Sequence, residues 1–465
     1  ADTLGVQYAL NTPSSATNLK MDVEGSLYTI SPTDSKPLKR FNIASVDTLD
    51  VSLNVEGLTA VAVSDIGNIV TLSNAGVITE YDALGRLIFS FGGIDDSSQN
   101  RLGLMVLPVD IELNNDGDIY VLDKGLNEIL VYRPTAFTQA VHQGLTSFNN
   151  GIYDIDIWNQ VLQLNEMFAV ANQAIGQAHF RENRFEEALE YFALAQYKEG
   201  YSDAFWQMRY QFLQQYLGLM MMTLLIGYVT IKVLKKVDAT YAIYDPVRTL
   251  KTRVLNVSLL KQLSYIFVMM KRPLDVYYDI KHRHRSSYLA ATMIYVLFII
   301  MTIIATVLPS FLFRDVSTAS FSLLRHLGMY VGFVVLLVFS NYLIATLNNG
   351  EGWFKDVYIG FAYSLSPFIL LTIPVTLSSY GFTLFEQFIY NFLWFIVYGW
   401  TVIYFLIMLK EIHGYSIKQI IFNIFLTVVT MLLFVILLFI SYLLLSQVFD
   451  YILSIIREVS ARASN

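Results

Sequence analysis

Residues 232–285 read KVLKKVDATYAIYDPVRTLKTRVLNVSLLKQLSYIFVMMKRPLDVYYDIKHRHR, with twelve Lys and Arg against four Asp and Glu. Long apolar runs lie on either side. Loops rich in Lys and Arg stay on the cytoplasmic side when a chain inserts into a membrane. The island is therefore expected to be a cytoplasmic loop, with everything before it outside the cell and everything after it a membrane bundle.

Charge divides the rest in the same way. Residues 1–209 hold 12 basic and 27 acidic residues, and residues 286–465 hold seven of each. An acidic front, a basic middle and a neutral apolar tail are three environments, not one globular domain. The mean hydropathy of +0.48 comes from the tail. Cysteine is absent, which excludes disulfides and cysteine-ligated metal and suits an exposed bacterial surface protein. The chain begins at Ala1, and the outside placement of its front implies a removed leader.

Crossing a hydrocarbon core of ~30 Å takes about 20 apolar residues. Six segments qualify: 210–234, 288–313, 327–347, 357–377, 387–409 and 420–445. Threaded from an outside start, they put 235–286 inside and the tail 449–465 outside, although Arg457 and Arg462 then fall on the less basic side. Away from their ends the last five spans carry no Asp, Glu, Lys, Arg or His. Ion and proton pathways usually display such groups. Asn341, Ser364, Ser366, Asn391 and Asn423 are the polar interior candidates, read as hydrogen-bonding glue between helices.

Lys271-Arg272-Pro273, followed by Asp275-Val276-Tyr277-Tyr278 and then five spans, resembles the Yip membrane-domain family. Tyr363-Ser364-Leu365-Ser366-Pro367 is similar to the Tyr-x-x-x-Pro element of that family's bundle. Proline there is expected to be tolerated because neighbouring helices satisfy the freed carbonyl. The resemblance covers about residues 265–448, with 287–448 as a five-helix bundle. The Asp-Leu-Tyr-Gly-Pro motif of the eukaryotic trafficking members is missing, so the resemblance points to a bacterial relative in the plasma membrane. Bacterial members with external repeats resemble proteins that accompany carbohydrate ABC importers.

Within the island, Leu255, Leu259, Leu260, Leu263 and Phe267 recur near helical spacing over 248–270, which predicts an amphipathic helix at the inner leaflet. Lys251, Arg253, Lys261, Lys271, Arg272, Arg283 and Arg285 are its candidate contacts to membrane lipid. His282 and His284 alternate with basic residues, so a lipid-facing patch is preferred to a metal pair.

Ahead of the membrane, one pattern recurs. Asp22-Val23-Glu24-Gly25-Ser26-Leu27-Tyr28 is followed by Ser64-Asp65-Ile66-Gly67-Asn68-Ile69-Val70 and by Asn115-Asp116-Gly117-Asp118-Ile119-Tyr120-Val121. The glycines stand 42 and then 50 residues apart, the period of four-stranded propeller blades. The last unit, with Asp123, Asn127 and Tyr132, resembles an NHL repeat in which an Asp and an Asn brace the turn between strands. Residues 1–140 provide about three blades, where closed propellers usually have about four to eight. The array could pair its edges with a partner, curl open, or belong to a longer parent.

Residues 154–209 read as helices. Ile175, Gly176, Phe185, Ala188, Phe192 and Ala195 fit a tetratricopeptide-like unit, with Trp206 where a next repeat would begin. No breaker separates Phe205 from Lys232, which predicts a helix running into the first span as a stalk.

No phosphate loop, His-Glu-x-x-His or Gly-x-Ser-x-Gly constellation occurs. Asp95-Asp96 and the turn at 114–118 could hold calcium but lack EF-hand spacing, and turn chemistry is preferred. No catalytic residue, cofactor or metal is assigned, and nucleic acid is disfavoured by the acidic front. The expected fold is thus multidomain: partial propeller-like repeats, a short helical segment, then an all-α polytopic bundle. The expected role is a non-catalytic accessory subunit, whose partners are permease subunits and a solute-binding protein or glycan. Asp123, Asn127, Tyr132, Phe185 and Trp206 are the candidate partner contacts. A stand-alone transporter or channel, or a glycan-binding surface adhesin or sensor, are the alternatives.

Overall fold

A computed structural model describes residues 16–49, 56–95, 101–241, 249, 256–283, 285–314 and 321–463. Lys251, Arg253, Leu255, His284 and Asp96 lie outside the described residues. The chain forms two units, Ala1–Ala204 and Phe205–Asn465.

The first unit opens with three antiparallel sheets. β1 (Asn18–Met21), β2 (Leu27–Ile30) and β3 (Leu38–Phe41) form the first; β4 (Leu58–Val63), β5 (Ile69–Ser73), β6 (Val77–Tyr81) and β7 (Leu87–Gly92) form the second; β8 (Pro108–Leu113), β9 (Ile119–Asp123) and β10 (Glu128–Tyr132) form the third. Each is a meander of short alternating strands, and one kind of turn recurs in all three.

That turn is one five-residue device. At 22–26, 64–68 and 114–118 the first side chain accepts the amide of the fifth residue: Asp22 Oδ1 from Ser26 (2.7 Å), Ser64 Oγ from Asn68 (3.0 Å), Asn114 Oδ1 from Asp118 (2.7 Å). In each, the first carbonyl takes the amide of the fourth residue, and that residue is Gly25, Gly67 or Gly117 at φ +87°, +81° and +82°. Positive φ costs glycine nothing, and a type I turn closed by such a residue is a common short hairpin link. The structure adds three copies that the repeat pattern missed, at 42–46, 73–77 and 82–86. The first of these puts Ser45 in the left-handed position at φ +61°.

The middle sheet is covered on both faces, and every residue of β5 is buried. Val61, Ile69 and Tyr81 pack with Tyr28, Ile30 and Leu38 of the first sheet. Ala60, Val70, Leu72 and Ile78 pack with Met105, Ile111 and Val121 around the third. Lys20 of β1 pairs with Glu112 of β8, linking the first and third sheets. Leu19, Met21, Leu122 and Ile129 stay exposed, so the two flanking sheets have apolar residues that the described chain leaves uncovered.

Helices α1 (Ala136–Asn149), α2 (Ile155–Leu164), α3 (Ala169–Arg181) and α4 (Phe185–Leu194) follow. Thr135 and Asp154 cap the first two through their side-chain oxygens. Trp158, Val161, Phe168 and Ile175 form a core with Val141, Leu145 and Ile88 of β7, so this layer is anchored to the middle sheet. α3 and α4 approach closely because Gly176 has no side chain: a Cβ there would lie 2.7 Å from the Phe192 ring.

α5 (Lys198–Tyr241) is unbroken over 44 residues. In the second unit, α6 (Ser258–Met269) and α7 (Pro273–Arg283) precede α8 (Tyr288–Val307), α9 (Leu323–Leu347), α10 (Phe354–Ser364), α11 (Ser366–Ser378), α12 (Gln387–His413) and α13 (Ile417–Ala463). Among the described residues, six helices are long and apolar enough to cross a membrane: Lys198–Asp238, Tyr288–Val307, Leu323–Leu347, Phe354–Gly381, Leu384–His413 and Ile417–Leu453. The chain is a multi-pass membrane protein. The fourth span is central, with 72% of its most apolar window buried.

That span breaks at Leu365, between α10 and α11. Pro367 stands in the first turn of α11, where its missing N–H costs little. The carbonyl it frees is Tyr363 O, and Ser366 Oγ donates to it at 2.5 Å. The sequence reading assigned that task to a neighbouring helix; the serine beside the proline performs it.

Candidate functional site

Where the middle sheet meets the third, a cleft of about 610 Å³ opens beside α1. Two of the repeated turns, at 64–66 and 114–117, form part of its wall, and Phe89, Phe91 and Tyr132 supply aromatic surface. Phe91 and Tyr132 meet edge to face at 5.6 Å. Glu80 lines the cleft although only 4% exposed. Its Oε1 accepts from Asn68 Nδ2 and from His142 Nε2, both at 2.7 Å. An otherwise costly buried carboxylate is thus held in one orientation by a buried amide and a helix histidine. Arg133 on the rim stands 3.7 Å from Asp118.

The five expected partner contacts do not converge. Asp123 is fully buried, and its oxygens take four backbone amides: Val106 (2.7 Å), Leu107 (3.0 Å), Gly125 (2.8 Å) and Leu126 (3.0 Å). Burial alone would raise its carboxyl, but these bonds outweigh it and hold the pKa below the ordinary value. Asp123 braces the turn and offers no surface to a partner. Asn127 is exposed in the same turn at φ +56°. Tyr132, at the far end of β10, lines the cleft, with its hydroxyl 3.4 Å from Gly103 O. Phe185 is a core residue, set edge-on to Phe180 at 5.5 Å. Trp206 is exposed and belongs to the second unit, under the Arg209 guanidinium at 5.0 Å. Sequence reasoning missed Glu80 and His142, 62 residues apart, because no local pattern joins a strand carboxylate to a helix histidine.

In the second unit, the Tyr363-x-x-x-Pro367 element is an anchor for α6 and α7. Tyr363 donates to Gln262 O at 2.8 Å and lies 3.0 Å from Ser286 Oγ. Tyr277 is buried between Ser364 Oγ (2.9 Å) and Tyr404 O (3.0 Å), and the Tyr404 hydroxyl donates to Met269 O at 2.7 Å. α6 buries Ile266 and Met269 and leaves Leu260 and Phe267 outward, so the expected apolar stripe is split between the bundle and the outside. Lys261, Lys271 and Arg272 are exposed, with no ion pair among the described residues. Arg283 and Arg285 both pair with Asp279. Asn341 donates to Asn423 at 2.8 Å, and Asn391 is exposed.

Residues 267–440 match the Yip1 domain. No curated protein matches the chain. Among solved structures, a virginiamycin B lyase from Staphylococcus aureus is 15% identical over 28% of this chain and 45% of its own, with a TM-score of 0.19. A streptogramin B lyase is 16% identical over 28% and 44%, with a TM-score of 0.20. The chain thus spans less than half the length of either.

Proposed function

We propose that this protein is a non-catalytic accessory subunit of a bacterial membrane complex, a carbohydrate ABC importer, with its amino-terminal unit outside the cell. In this reading the sheets and helices of the first unit, an NHL-like and tetratricopeptide-like pair, receive a solute-binding protein or glycan, and the Yip-like bundle docks on permease helices.

One observation carries it. The first span has none of its most apolar window buried, and the last, Ile417–Leu453, has only 6%. Both are long helices whose most apolar stretches the other described residues leave largely uncovered, and helix packing in a membrane rewards close contact with other helices. Asn341 of the third span pairs with Asn423 near the start of the last, a polar contact between helices that favours a scaffold over a conduction path.

Purification in mild detergent followed by mass spectrometry tests this. Permease subunits should co-elute, and cross-links should map to 210–234 and 420–445. Elution alone, with solute flux in liposomes containing only this chain, would replace the scaffold by a transporter. Because the chain has no cysteine, single cysteines at Gln196 and Lys271 can be read with an impermeant maleimide on intact cells. Labelling at 196 and protection at 271 are expected; the reverse pattern would refute the orientation.

A further inference from the structure

We propose that the cleft between the second and third sheets binds a neutral saccharide of two or three rings. The inference rests on the reading of the first unit as a ligand-receiving module, and it names the site and the ligand class.

Size comes first. At about 610 Å³ the cleft sits inside the range of small-molecule sites, about 300–1,000 Å³. It is too large for a lone ion and too small for a protein domain.

The lining then selects the chemistry. Glu80, Asp65 and Asp116 bring carboxylates, whereas Arg133 brings the one guanidinium in the lining and is engaged with Asp118. An anionic ligand would face more repulsion than attraction. A divalent cation needs clustered oxygen or nitrogen donors, and no group of three His, Asp or Glu side chains suited to a metal occurs among the described residues. A neutral molecule rich in hydroxyl donors fits this lining, and an organic cation is the competitor that the test below separates from it.

Glu80 is built to accept such donors. Asn68 and His142 both occupy Oε1, and Oε2 accepts from no described donor. A second acceptor oxygen held rigidly in a nearly water-free wall gives a directional bond to an O–H group, strengthened by the carboxylate's charge. The aromatic rings complete the match. Sugar rings present C–H faces that lie flat on aromatic surfaces, and Phe89, Phe91 and Tyr132 offer them within the same cleft. Thr135, Thr138 and Gln143 add hydroxyl and amide partners along the α1 side. A mixed lining of apolar faces and a few placed polar groups is how small-molecule sites obtain both affinity and orientation.

The test uses the full chain in detergent and a panel of neutral di- and trisaccharides, maltose, maltotriose, cellobiose and xylotriose among them, read by saturation-transfer NMR and calorimetry. At least one should bind. Glu80→Gln keeps the shape and weakens the acceptor, and should reduce affinity about tenfold or more. Gln143→Trp places a bulky ring at an exposed cleft position and should abolish binding without lowering the unfolding midpoint. No binding across the panel would overturn the proposal, as would binding that Gln143→Trp leaves intact. Binding of a polyamine or basic peptide in place of every sugar would also overturn it. Saccharide binding by a chain that elutes without a permease would uphold this inference while removing the importer reading; co-elution without sugar binding would do the opposite.

Discussion

Replacing Asp123 should loosen the third sheet, and the size of the effect follows from its bonds. Oδ2 takes the Val106 amide, and Oδ1 takes those of Leu107, Gly125 and Leu126. A hydrogen bond to a charged group contributes about 1.5–3 kcal/mol net, but four on one carboxylate do not add. Val106, Leu107 and Gly125 are exposed residues, so water can recover part of what is lost. Asp123→Ala should therefore cost about 2–4 kcal/mol. Asp123→Asn keeps one acceptor oxygen and turns an amide N–H₂ toward the Val106 N–H, at about 1–3 kcal/mol. Against a total stability of about 5–15 kcal/mol, either loss is large.

Hydrogen exchange on the full chain in detergent reads this locally. Protection at 106, 107, 125 and 126 should fall together in both variants, while protection in α8 to α12 should not change. The pH dependence has a definite sign. The folded pKa of Asp123 lies below the ordinary carboxylate value, so its contribution is complete above about 3.9 and is lost as pH falls through that value toward the lower folded one. Wild-type protection, corrected for intrinsic exchange, should drop over that interval and the Asn variant should stay flat. Equal protection in wild type and Asp123→Ala at pH 7 would refute the bracing role.

Other expectations follow from single contacts. Gly176→Ala forces a Cβ to 2.7 Å from the Phe192 ring and should destabilise the α3–α4 pair by about 1–3 kcal/mol, seen as faster proteolysis between 181 and 198. Arg209 and Glu386 make a bidentate pair at 2.8 and 2.9 Å; a double-mutant cycle on thermal unfolding should give a coupling of about 1–3 kcal/mol. Neutralising Lys261, Lys271 and Arg272 together should lower retention of anionic lipid in native mass spectra, at about 1 kcal/mol per charge near the surface; unchanged retention would remove the lipid-patch reading.

The turn at 22–26 was legible because an Asp and a Gly stand at fixed spacing, and the strand that follows alternates. Its copy at 42–46 was not, since Ser45 does the glycine's work and no composition signal marks it. The six spans were legible from length and hydropathy alone, as the bilayer sets a long-range rule that local packing does not override. The break at Leu365 was half legible: Pro367 announces it, but the partner of Tyr363 O is a rotamer choice of Ser366. The cleft was invisible, because its walls come from β6, β7, β10, two turns and α1, and only the folded sheets bring them together.

The bundle's own bonds tie the topology into one unknown. Arg209 reaches Gly381 O and Glu386, and Ser310 bonds Ser379, which places the start of the first span and the links after the second and fourth at one end. Lys281 bonds Glu351 Oε2 at 2.6 Å and Glu411 O at 3.3 Å, which gathers the links before the second span, after the third and after the fifth at the other. Lys281, by its hydrogen bond and charge, holds the Glu351 carboxyl below its usual range. Helices alternating through six spans must sort their links this way whichever face is cytoplasmic. The sidedness of the whole chain therefore reduces to the sidedness of one residue. Lys281 is a sensitive choice, because it belongs to the basic island on which the expected orientation rests.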